Sequence, residues 1–146
     1  MFIAKGTDVN KALVTACRTN NYDLALHLLK EYGANPNYEQ RNLSVINTVL
    51  LRSIDVRIVK LLLENNANIC NIGHANIRKL FAFNDIEILK QMKTQGIDIR
   101  DAILEVKFIQ VLEYLFSNGV DEKKLSQANY ISLFKNFSEN EDVQGL

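Results

Sequence analysis

Residues 23–37 read Asp23-Leu24-Ala25-Leu26-His27-Leu28-Leu29-Lys30-Glu31-Tyr32-Gly33-Ala34-Asn35-Pro36-Asn37, and residues 57–68 read Arg57-Ile58-Val59-Lys60-Leu61-Leu62-Leu63-Glu64-Asn65-Asn66-Ala67-Asn68. In each, two adjacent apolar residues are followed one turn later by two more: Leu24-Ala25 with Leu28-Leu29, and Ile58-Val59 with Leu62-Leu63. Positions i, i+1, i+4 and i+5 fall on one stripe of an α-helix, wide enough to be buried against a neighbour. The template returns at Ile88-Leu89 with Met92, and at Val111-Leu112 with Leu115-Phe116. Only the third copy breaks it, with Lys93 where a fourth apolar residue is expected.

Each stripe stops in the same way. Gly33, Asn66, Gly96 or Gly119 follows it, and two residues further on stands Asn35, Asn68, Asp98 or Asp121. Gly enters the left-handed conformation at a helix end without steric cost, and Asn does so cheaply. The small polar residue beyond can occupy turn amides with its side chain. The stops lie 33, 30 and 23 residues apart. Upstream of each stripe is a shorter apolar segment: Ala12 to Cys17, Val45 to Leu51, Ile77 to Phe83 and Ala102 to Val106. These read as the leading helices of helix-turn-helix pairs. A single pair cannot bury its own apolar face, so pairs are expected to stack side by side into a solenoid with one continuous core. The 23-residue interval requires a truncated leading helix or a very tight turn in the fourth unit.

These strings resemble the second helix and following turn of ankyrin repeats, a resemblance that covers roughly residues 10 to 121. The third and fourth copies carry it mainly in Gln95-Gly96-Ile97-Asp98 and Asn118-Gly119-Val120-Asp121. The family's Thr-Pro-Leu-His opening of the first helix is absent; the aligned positions read Lys11-Ala12-Leu13-Val14 and Val45-Ile46-Asn47-Thr48, so less regular inter-repeat loops are expected. Such shortened units are similar to those of ankyrin proteins from large viruses and intracellular bacteria. The resemblance implies an all-α, ankyrin-type solenoid of about four repeats plus a C-terminal helical cap. The expected organisation is a single domain over 1–146, with repeats at about 8–40, 41–72, 73–99 and 100–121. Leu125, Ala128, Ile131, Leu133, Phe134 and Phe137 form an amphipathic pattern, which assigns 122–138 to the cap and leaves 139–146 as a frayed tail.

Composition narrows the function. Seventeen basic residues balance seventeen acidic ones, so no excess of positive charge exists to collect nucleic-acid phosphates or anionic lipid. No apolar run is long enough to cross a bilayer, and no charged leader precedes an apolar block at the N-terminus. The chain therefore reads as intracellular and soluble, in a host cytoplasm if it comes from a virus or a bacterial effector. Cys17 and Cys70 are too far apart in sequence, and without a Cys-x-x-Cys pairing, to suggest a disulfide framework or a zinc site. Both read as small buried or half-buried hydrophobes.

The residues for catalysis do not converge. His27 and His74 are the only histidines, with no His-x-x-x-His pair. His27 reads as a half-buried, hydrogen-bonded helix residue, and His74 as a loop residue between the second and third units. No glycine-rich phosphate cradle or Gly-x-Ser-x-Gly elbow is present. Asp85 with Glu87 and Asp121 with Glu122 sit at helix starts, where capping accounts for them. The expectation is a non-enzyme with no cofactor and no metal.

What remains is a surface. In ankyrin-like stacks the resemblance implies docking on the concave side, made by loop tips and the exposed edge of the leading helices. The aligned positions are Arg18, Asn20 and Asn21 in the first unit, Arg52 and Asp55 in the second, and Phe83 and Asp85 in the third, with Tyr38, Arg41 and His74 at loop tips. Tyr and Arg most often anchor interfaces, which singles out Tyr38, Arg41, Arg18 and Arg52, together with Phe83 where it is not core. The expected role is an adaptor or an inhibitor acting by occupancy on another protein. An immunity or anti-defence protein that neutralises a toxin or host enzyme is the alternative, and a small carboxylate-based enzyme a remote one. Monomer is favoured over self-association, which Lys93 and an imperfectly capped end could promote.

Overall fold

A computed structural model of the chain describes residues 6–52 and 55–120. The cap and tail expected over 122–146 lie outside the described residues, as do Ser53, Ile54 and Asp121. The chain divides into two compact units that meet in sequence between Ile72 and Gly73.

In the first unit, α1 (Val9–Arg18) and α2 (Tyr22–Glu31) form one pair, and α3 (Val45–Arg52) and α4 (Val56–Glu64) form the next. Short polar side chains start all four of these helices, Ser44 Oγ accepting from the Asn47 amide at α3. Asp8 Oδ1 accepts from the amides of Asn10 and Lys11, Asn21 Oδ1 from Leu24, and Asp55 Oδ1 from Arg57, occupying amides that have no partner within the helix. The stripes are buried as their spacing requires: Ala25, Leu28, Ile58, Val59 and Leu62 are wholly inaccessible. Here α1 packs on α2 and α3, α2 on α4, and α3 on α4, so leading helix meets leading helix and stripe helix meets stripe helix.

The second unit repeats the plan with a shorter member. It comprises α5 (His74–Ala82), α6 (Ile86–Thr94), a 3-10 helix (Arg100–Glu105) and α7 (Ile109–Ser117). Asp85 Oδ1 caps α6 through the amides of Glu87 and Ile88. The 3-10 helix packs against α5 and α7 and stands where the fourth leading helix belongs; its six residues absorb the shortfall between the last two stops. The tighter 3-10 winding is tolerated in short runs such as this one.

All four stops are left-handed: φ is 67° at Gly33, 69° at Asn66, 81° at Gly96 and 83° at Gly119. At the last three, the amide after the stop returns to the stripe, Ala67 to Leu62, Ile97 to Met92 and Val120 to Leu115, which is the six-to-one bond of a Schellman motif. The polar residue beyond then closes the turn. Asn35 Oδ1 accepts from the amide of Asn37, Asn68 Oδ1 from Cys70, and Asp98 Oδ1 from Arg100.

Three features depart from the sequence reading. Residues 39–44 form a two-stranded hairpin, β1 (Glu39–Gln40) antiparallel to β2 (Leu43–Ser44), where only a loop was expected. Its two-residue turn holds Arg41 and Asn42 at φ 55° and 64°. Positive φ at both positions gives a turn of the I′ kind, normally signalled by Gly, and here no Gly marked it. His74 is the first residue of α5 rather than part of a loop, because Gly73 at φ 84° turns the chain directly into the helix. Cys70 is exposed, not buried: the closing Asn68 turn carries it outward, while Cys17 is inaccessible between α1 and its neighbours.

Candidate functional site

The face of α1 that α2 leaves uncovered carries Lys11, Val14, Thr15 and Arg18. They are three and four residues apart, so one side of the helix presents them in line. Opposite lie Thr48 and Leu51 of α3, with Gln40, Arg41 and Leu43 of the hairpin at one end. Together they bound an open groove of about 400 Å³. The hairpin is what closes that end: its turn geometry lifts Arg41, and β2 brings Leu43 alongside. Leu51 is 57% exposed and Leu43 37%, so the groove offers apolar surface within a rim of cations.

Of the sequence-derived positions, the structure brings Arg18 and Arg41 together here. The others are placed elsewhere, several in turn-making roles. Asn20, at φ 58°, makes the bend between α1 and α2, and Asn21 caps α2. Asp55 caps α4 and holds Arg57 at 3.0 Å. That guanidinium keeps the Asp55 carboxyl below its usual range and lies 5.2 Å from the Tyr22 ring centroid. Tyr38 is half-buried, its amide donating to the Asn35 carbonyl just ahead of β1. Arg52 ends α3, and its side chain is outside the described set. In the second unit, His74 is exposed at the start of α5, Phe83 is half-buried at its end, and Asp85 caps α6.

The groove also contains Gln40, another expected loop-tip position, and residues the sequence reading passed over: Lys11, Thr15, Leu43, Thr48 and Leu51. The signal for the first two was the polar face of α1, at 11, 15 and 18 in register with Val14. No comparable signal existed for Leu43 and Leu51, which look like core residues until the hairpin is placed.

Among the described residues no group of three or more His, Cys, Asp or Glu is placed to hold a metal ion. His27 is engaged with Glu31 at 3.4 Å and edge-on to Tyr32. Asp8, Asp55 and Asp85 are occupied by capping, and Glu87 pairs with Lys90. Among the described residues no helix is long and apolar enough to cross a membrane.

The ankyrin repeat family model matches residues 3–37, the stretch that holds α1, α2 and the Asn35 turn. The chain is similar to the ankyrin repeat family over that stretch. Its helix pairs, left-handed stops and hairpin are thus an ankyrin-type helical repeat fold. No curated protein and no solved structure matches the chain. Ankyrin repeats are generally protein–protein interaction modules, and the groove lies between the matched repeat, the hairpin that follows it and α3.

Proposed function

We propose that this ankyrin-repeat chain is a non-catalytic binding protein, an adaptor or an inhibitor acting by occupancy, and that it holds its partner protein in the groove between α1, α3 and the hairpin. The observation that carries this reading is the meeting of Arg18 and Arg41 over exposed Leu43 and Leu51. Arginine anchors beside desolvatable apolar surface are the composition from which interface hot spots are built. The groove is open rather than enclosed, which suits a macromolecular partner. The capping duties of Asp8, Asp55 and Asp85 leave these carboxylates poorly placed for acid–base chemistry.

The test is affinity capture of partners from the native host on the full chain, with mass spectrometry, repeated with Arg18→Ala/Arg41→Ala. Both side chains are exposed, so the variant should fold normally. A partner retained by the parent chain and lost by the variant supports the reading. Equal retention by both rejects this face.

A further inference from the structure

Resting on that reading of the groove, we propose that the segment it receives is acidic, with an apolar side chain set between two carboxylates. The whole chain is neutral, with seventeen basic and seventeen acidic residues. Yet Lys11, Arg18 and Arg41 line this groove and no carboxylate does. Among the described residues none of these three cations forms an ion pair. In the same unit Arg57 is neutralised by Asp55. Among the described residues the groove therefore gathers positive charge with no carboxylate in its lining, and such a field selects partners by complementarity and speeds their encounter.

The spacing narrows the partner further. Lys11 and Arg18 are two turns apart on α1, about 10 Å along one face. An extended segment advances about 3.3 Å per residue and returns to the same face every second residue. Carboxylates four residues apart span about 13 Å, a difference that flexible lysine and arginine side chains cover. The residue midway between them faces the same way and meets exposed Leu43 and Leu51. The pattern is acidic-x-apolar-x-acidic. A protein segment fits better than a nucleic acid, because no aromatic side chain lines the groove to stack on a base.

Peptides selected from a random phage-displayed library against the full chain, then measured by fluorescence anisotropy, test this directly. The selected peptides should share the acidic-x-apolar-x-acidic pattern. Their affinity should fall about tenfold or more with Lys11→Glu/Arg18→Glu, and should weaken with added salt. The neutral pair Lys11→Gln/Arg18→Gln should fall between, with helical circular dichroism unchanged for both variants. Selected peptides that lack acidic residues but are weakened by Leu51→Ala overturn the acidic partner and leave the groove as the binding face. Peptides indifferent to every groove substitution, or no selected peptide at all, overturn both. A labelled single-stranded oligonucleotide that binds more tightly than any selected peptide overturns the choice of a protein partner.

Discussion

Cys17 and Cys70 show how little residue type alone decides. Burial pushes the Cys17 thiol up to about 12, whereas Cys70 stands in solvent. Since the thiolate is the nucleophile, iodoacetamide at neutral pH should alkylate Cys70 rapidly and Cys17 only after unfolding, as read by peptide mass spectrometry. Equal labelling rates in the folded protein would contradict this placement. The sign of the pH dependence follows. The fold favours the protonated Cys17 thiol, so that contribution to stability is intact below about pH 9 and is lost as pH rises towards about 12. Composition could not separate the two cysteines, because exposure depends on where a turn points. The same holds for Asn20, Asn84, Arg41 and Asn42, whose positive φ values come from turns that no glycine announced.

Among the elements, the stripe helices and their stops were legible in the sequence, since each depends on local periodicity and on the left-handed tolerance of Gly and Asn. The links between turns were not. Asn10 Oδ1 accepts from the Asn35 amide at 2.7 Å, and Asn37 Oδ1 accepts from the Asn68 amide at 2.7 Å while its Nδ2 donates to the Asn66 carbonyl at 3.1 Å. In the second unit, Asn84 spans to the Lys107 amide and the Glu105 carbonyl, and Lys93 to the Asn118 side chain. Lys93, a defect in the apolar template, thus serves as a tie between α6 and the turn after α7. The only sequence trace of the ladder is the recurrence of Asn-x-Asn at 35–37 and 66–68. Asn37→Ala removes both of its links and should cost about 1–2 kcal/mol, measured by urea unfolding followed by far-ultraviolet circular dichroism. A change near zero would show that water replaces these bonds without loss.

At the scale of the whole molecule, stability in a repeat architecture is a sum of small units and the interfaces between neighbours. Leu62 is wholly buried in α4, so Leu62→Ala should cost about 2–5 kcal/mol. Leu104→Ala, at 57% exposure, should cost less than about 0.5 kcal/mol. Similar losses for the two would refute the placement of the core. The fold class and repeat pattern were legible because they rest on periodicity. The groove was legible only through Arg18, Gln40 and Arg41, since its remaining wall depends on a hairpin of two-residue strands too short to show an alternating pattern.

The asparagine links carry a consequence for how such a chain changes length over generations. Asn37 and Asn84 each reach, with one short amide side chain, main-chain groups of the next unit that every residue possesses, so docking by these links asks for no particular side chain on the neighbour. Recombination can lengthen or shorten the array without a matching change in the core, and the groove between the first two helix pairs can keep its chemistry while units beyond them are remodelled.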